Sequence, residues 1–431
     1  MSEPAHKFRT LTLISILHAF THVYQVALLP LYLPIQKSFQ LENVAASTFL
    51  VTLLMLAYFL PSYPMGVLAD RVSRTKLLAI GLAINGLGFI GLAWAPTYPA
   101  ALASVAVAGF GGSFFHPAAT ALIARLFPTG TGRALGIIGT GAGAGFFLGP
   151  IYAGWRATQT GNWRAPVLEL GVFGLVAAGL FYWLAVETPA QSEASSSPKP
   201  RARLFSTAQA GWCFVAAAFA FSMRDFAGSS MGSLGSLFLQ RAHDFSVNET
   251  GLTLSAIFLA SIISNPLFGH LSDRGRKRWT CLVHAAAAVL IVVFPRLAGT
   301  HEQLLQLFFF VFMAYGFFFM ASYPMVEAAV MGAVPDAVRG RAFGLWITIG
   351  GLTGNLSHWL VGQWVERLGP RAAVPANYYG IYGGLAGLLL LSLVGLFFLE
   401  RMGTPAAAAG VSDPGTEPGA YSAPGTLRSP E

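Results

Sequence analysis

Charge is what this chain of 431 residues has least of. Only 10% of its residues are Asp, Glu, Lys or Arg, where a soluble domain carries roughly 25%. That scarcity excludes an ordinary water-soluble fold. Cysteine is nearly absent too. Cys213 and Cys281 are too few for a disulfide framework, and both fall in apolar stretches where a thiol packs as a small hydrophobe. Common catalytic motifs are missing: there is no HExxH, no GxSxG and no cluster of carboxylates of the two-metal kind, so an integral membrane enzyme is the weakest expectation. The glycine-rich run GTGAGAGFF follows no strand and lies inside an apolar span, which excludes a dinucleotide loop. Nothing in the sequence calls for a metal or an organic cofactor.

What is present is apolar surface. Hydrophobic residues make up 55% of the chain, with 48 Gly and 34 Phe. Runs of about twenty apolar residues predict membrane helices. Twelve emerge, near 10–34, 46–68, 76–95, 99–125, 133–156 and 166–187, then 209–240, 248–270, 279–297, 303–333, 341–365 and 376–400. The first is too long for a signal peptide and lacks a small-residue cleavage site. The net charge of +8 does not point to nucleic acid, because its placement follows the membrane. With both termini on one side, 18 of the 26 Lys and Arg fall on that side and 7 on the other. This is the positive-inside bias, and it predicts cytoplasmic termini in a multi-pass protein of the cytoplasmic (inner) membrane.

The chain also repeats itself. GVLADRVSRTK (66–76) and GHLSDRGRKRW (269–279) both join one apolar run to the next. Gly109, Pro117 and Pro128 recur as Gly316, Pro324 and Pro335, and Gly132-Arg133-Ala134-Leu135-Gly136 as Gly340-Arg341-Ala342-Phe343-Gly344. Leu33, Phe39 and Leu41 parallel Leu239, Phe245 and Val247. Such parallel repeats are an architecture of secondary transporters. The predicted fold is therefore all-α and integral to the membrane, with twelve helices in two six-helix bundles. The expected divisions are an N-terminal bundle (1–187), a Pro- and Ser-rich cytoplasmic linker (188–208), a C-terminal bundle (209–400) and a disordered cytoplasmic tail (401–431).

These residues resemble the major facilitator superfamily, whose loop between the second and third helices carries a G-x-L-x-D-R-x-x-R-K signature. The run GFGGSFFHPAATALIARLF (109–127) is similar to the fosmidomycin-resistance-like branch. The resemblance implies alternating access around a central cavity, with efflux of small polar or amphipathic compounds in exchange for protons. It also implies a cytoplasmic gate. Gly66, Asp70, Arg71 and Arg74 would work against Arg341 at the start of the eleventh helix, and Gly269, Asp273 and Arg274 against Arg133 at the start of the fifth, each Asp favoured by a positive helix end. The bland alternative is that both Asp residues only neutralise their own loop arginines. Gly136, Gly145, Gly149 and Pro150 match the spacing of the superfamily's exporters. Small residues let helices approach and the proline lets the helix bend. The arginine that proton-linked drug exporters often place in the fourth helix is missing, since Val105 stands there.

Ionisable residues inside spans mark a pathway or a partner. His18 and His22 lie one helical turn apart with Thr21 and Gln25 near the same stripe. The repeat maps His18 onto Arg224, beside Asp225, so a polar patch across the cavity is expected. Adjacent residues point about 100° apart on a helix, so Arg224 and Asp225 are not expected to satisfy each other. Glu327 follows Pro324, as His116 precedes Pro117. Desolvation raises a carboxyl group's proton affinity, so Glu327, aided by His18 or His22, is the expected proton carrier. Glu169, near the end of its span, is expected to be solvated. The expected partners are a small-molecule substrate, protons and the lipid bilayer, with no nucleic acid, and the protein is expected to be a monomer. The leading expectation is proton-coupled efflux. The alternatives are uptake or facilitated diffusion of a polar or anionic metabolite, and a transporter-shaped sensor or scaffold.

Overall fold

The computed structural model describes residues 3–69, 71–127, 131–186, 204–205, 207–272, 274–334 and 338–402. Asp70 and Asp273, nearly all of the linker and the tail from residue 403 lie outside the described residues. Among the described residues there is no strand. The chain forms twelve helical rods, labelled α1 (His6–Ser38), α2 (Val44–Ala69), α3 (Arg74–Trp94), α4 (Tyr98–Leu126), α5 (Thr131–Thr160), α6 (Arg164–Leu184), α7 (Ala208–Ala242), α8 (Val247–Ser272), α9 (Arg276–Val293), α10 (His301–Gly332), α11 (Arg339–Leu368) and α12 (Pro375–Arg401). They correspond one for one to the twelve spans read from the sequence. Ten described helices are long and apolar enough to cross a bilayer on their own composition. α7 and α11 are not among them, because α7 carries Arg224, Asp225 and a run of serines while α11 carries Asn355, Ser357 and His358.

Starts are fixed by side chains that satisfy the free N–H groups of a first turn. Asn43 accepts from Ala46, Thr97 from Ala100 and Thr207 from Ala210. Ser246 with Glu249, and Thr300 with Gln303, form reciprocal capping boxes. The repeat shows in the turns as well. Gln40, between α1 and α2, and Asp244, between α7 and α8, both have left-handed backbones, with φ of 52° and 54°.

α1–α6 pack as one six-helix bundle and α7–α12 as the other. Two repeated glycines show why the halves share their spacing. A Cβ on Gly109 would collide with the Leu54 carbonyl of α2, and one on Gly316 with the Ile257 carbonyl of α8. Both crossings bring backbone against backbone, which only glycine allows. Gly109→Ala and Gly316→Ala should each destabilise the folded protein by about 1–3 kcal/mol, read as a lower midpoint in thermal unfolding. An unchanged midpoint in either would show that the crossing relaxes freely.

The bundles meet at the end remote from the termini. There Thr52 donates to the Asn355 carbonyl at 3.1 Å and accepts from the Trp359 N–H at 3.0 Å, and the Val44 N–H reaches Glu366 at 2.9 Å. On the other seam, Gly154 of α5 packs on the Val247 carbonyl and Gly251 of α8 packs on the Pro150 carbonyl. Toward the end that carries the termini the same helices part: Gly136 and Gly139 of α5 and Gly344 of α11 face open space. A cleft between the bundles opens on that side.

Candidate functional site

The first cluster lies in the N-terminal bundle. Helical spacing puts His18 and His22 on one face of α1, each only 8% exposed. The third member comes from α4, which breaks between Gly112 and Phe115, so His116 enters in the first turn of the new segment, where Pro117 costs no hydrogen bond. His18 donates through Nδ1 to the Ile138 carbonyl at 2.8 Å, and His22 donates through Nδ1 to Gln25 Oε1 at 2.9 Å. Their Nε2 atoms lie 3.0 Å apart. Ring nitrogens of all three histidines fall within 4.8 Å of one another. Aromatic rings wall the group: Phe115 stacks on His18 at 4.6 Å, Phe146 lies 4.1 Å from His22, and Tyr58 stands edge-on to His116 at 6.2 Å. The Tyr58 hydroxyl is buried beside the Gln25 side chain.

The second cluster lies in the C-terminal bundle. Arg224 is 2% exposed. It does pair with its neighbour, against expectation. Nε and Nη2 reach one oxygen of Asp225 at 3.0 and 2.8 Å, because the long guanidinium arm curls back across the angle separating adjacent helical positions. The guanidinium also lies 4.0 Å over the Tyr323 ring, a favourable placement of a cation on a π face. Asp225 fits against α11 where Gly350 and Gly354 leave room; a Cβ on Gly350 would stand 2.6 Å from Asp225 Oδ2. Glu327, one turn beyond Tyr323 on an α10 that runs unbroken through Pro324, is half-buried. It has no hydrogen bond or ion pair among the described residues. His284 of α9 completes the surroundings, with Nδ1 on the Thr280 carbonyl at 2.7 Å and a buried Nε2 that has no partner among the described residues. The sequence reading passed over His284, although a lone histidine in an alanine-rich span was the available signal.

The single patch expected across the cavity is thus two clusters. No hydrogen bond or ring contact joins them among the described residues. α1 and α7 touch instead at the closed end. Tyr32 bonds Ser233 at 2.8 Å, Ser236 donates to the Leu29 carbonyl, and Ser233 continues to His358 at 2.6 Å. Glu169 is a correction. It is not solvated alone but held by a bidentate Arg156 and by the Tyr152 hydroxyl.

Of the gate residues, Arg71, Arg133, Arg274 and Arg341 are exposed at the open end and Arg74 is buried. Gly66 has only Pro117 near its missing Cβ, at 3.8 Å, and Gly269 has open space. α5 is one continuous helix with Pro150 inside it. Gly145 abuts the Ala19 backbone and Gly149 abuts Val23 and Val26, while Gly141 meets Ser15, so these glycines seat α5 on α1.

The model of the Major Facilitator Superfamily matches residues 11–357. The chain is 27% identical to the multi-drug resistance efflux pump PmrA of Streptococcus pneumoniae, over 71% of this chain and 76% of the pump. It is 24% identical to the fosmidomycin resistance protein of Escherichia coli, over 78% and 84%, and 30% identical to the multidrug resistance protein MdtG of Serratia proteamaculans, over 81% and 80%. A solved bacterial homolog of the human lysosomal transporter Spinster, inward-facing and occupied, superposes with a TM-score of 0.73 at 18% identity, covering 94% of this chain and 98% of that one.

Proposed function

This chain belongs to the major facilitator superfamily, and from that premise we propose that it exports a small organic solute from the cell in exchange for protons. It is a membrane transporter and not an enzyme. The observation that carries the proposal is the make-up of the C-terminal cluster: Asp225 alone pairs with Arg224, and a second carboxyl group, Glu327, stands half-buried one turn beyond Tyr323 with no hydrogen bond or ion pair among the described residues. One carboxylate neutralises the guanidinium. The other is free to take and lose a proton as the cleft changes sides, which is the requirement of a coupled exchange. The histidine wall on α1 and α4, with Gln25, would face the solute from the other bundle. The excess of Lys and Arg at the terminal end supports a cytoplasmic location for that end, so the cleft as it stands opens inward. The drug-resistance and efflux names of the relatives support export, although Val105 replaces the arginine usual in the fourth helix of proton-linked exporters. The alternative in which Arg224 captures an anionic metabolite is disfavoured, because Asp225 already occupies two of its donors.

Inverted membrane vesicles with an acid interior provide the test. A phosphonate or an amphipathic drug that the protein carries should release protons, followed with a pH-sensitive dye. Glu327→Gln should abolish that release while leaving solute binding within about threefold, because the amide keeps the size of the side chain and loses only its proton exchange. Full proton-driven transport in Glu327→Gln would remove Glu327 from the mechanism. Silence across a broad solute panel would overturn the export reading.

A further inference from the structure

The transport reading treats the three histidines as a polar wall, but their geometry asks for more. A backbone carbonyl only accepts hydrogen bonds, so His18 carries its hydrogen on Nδ1 and presents a lone pair at Nε2. His22 Nδ1 is held 2.9 Å from the Gln25 side-chain amide. The two Nε2 atoms then stand 3.0 Å apart, a spacing that one shared hydrogen or one positive centre between them satisfies. A proton would need only these two nitrogens. The structure adds a third imidazole, His116, with ligand nitrogens of all three within 4.8 Å, and gives each α1 histidine an oxygen acceptor on the remote ring nitrogen. That outer support is the pattern of metal-bound histidines, whose second N–H is held by a carbonyl or carboxyl oxygen.

We propose that His18, His22 and His116 bind a divalent transition-metal cation of the class that prefers imidazole, such as Zn2+, Co2+ or Ni2+. Three nitrogens at about 2.0–2.1 Å from a tetrahedral ion stand roughly 3.4 Å apart. The His18–His22 pair is nearly there, and His116, whose ring nitrogens make no hydrogen bond among the described residues, swings in to close the triangle. The fourth position stays open for water or for an anionic donor atom of the cargo, as in three-histidine sites that keep a reactive position. The aromatic rings of Phe115, Phe146 and Tyr58 wall the other sides of the group. The sequence alone points to no metal, because the His18 and His22 spacing lacks the glutamate of a metalloprotease helix.

The proposal rests on the same cleft as the export reading, so its test avoids transport. Full-length protein carrying no histidine tag is stripped with a chelator and titrated with Co2+ alone. One equivalent should produce the visible absorption of tetrahedral Co2+ bound to nitrogen, and Zn2+ should displace it. His116→Ala and His22→Asn should lose the band, Gln25→Leu should weaken binding by about 10- to 100-fold through its outer support, and His358→Gln should keep it. The wild-type spectrum keeps the test decisive even where a variant folds poorly. No band in the wild type, or a band that survives both His116→Ala and His22→Asn, overturns the proposal. The former result would mean that His22 simply donates Nε2–H to His18. The export reading can fail in vesicles while the Co2+ band stands, and the reverse.

Discussion

Arg224→Ala protein loses all proton-coupled transport and about 3 kcal/mol of stability, while an Arg224→Leu/Asp225→Leu double variant recovers the stability and none of the transport. Removing one partner of a buried pair strands the other charge and costs about 3–5 kcal/mol. The low end applies here, because Asp225 keeps 19% of its side-chain surface and water reaches it. Replacing both partners with apolar groups removes the stranded charge, and such swaps are often neutral. The stability side is read as the unfolding midpoint in detergent, the functional side as dye response in vesicles. A single variant as stable as the wild type would show that the Arg224–Asp225 contact contributes nothing to the fold. A double variant that still transports would remove both residues from the coupling.

Gly154→Leu has a different target. Gly154 packs on the Val247 carbonyl and against Gly251, where α5 and α8 close the end remote from the termini. A Cβ there would stand 2.6 Å from the Val247 oxygen, and a leucine cannot be accommodated without parting the two bundles. Overpacking of this kind costs about 1–3 kcal/mol, and every 1.4 kcal/mol is tenfold in a two-state population. The closed form should therefore lose about 5- to 150-fold relative to the open one, with transport falling in step. A cysteine at Gly139, which faces open space at the terminal end, reports the change once Cys213 and Cys281 are replaced by alanine: its labelling by a maleimide should slow. Unchanged labelling and transport would mean that this seam does not separate the two forms.

The sequence made the architecture legible because its constraints repeat. Gly109 and Gly316 match across the halves, and each answers to one carbonyl on one neighbouring helix. The left-handed turns at Gln40 and Asp244 match as well. The candidate site was half legible. Helical spacing alone puts His18 and His22 on one face, and the rarity of charge in a span singles out Arg224 and Glu327. What opposes those faces is a tertiary matter. His116 joins the pair only because α4 breaks after Gly112, and periodicity carries no sign of that break's direction. Arg224 reaches its own neighbour because its side chain is long, a freedom the 100° rule for Cβ directions does not contain. Arg156 finds Glu169 across two helices that the sequence treats separately.

The polarity of α7 has a consequence during synthesis. Each central charge costs roughly 2.5–3.5 kcal/mol on entering the bilayer from the translocon, and α7 holds two of them in a segment outside the ten that are apolar enough to cross unaided. Asp225 is made immediately after Arg224, so the pair forms early. The Tyr323 ring and the Ser322 carbonyl that also hold the guanidinium arrive about a hundred residues later, roughly 5–20 s at ribosomal speed. For that interval α7 lacks two of the contacts that hold its guanidinium in the folded protein.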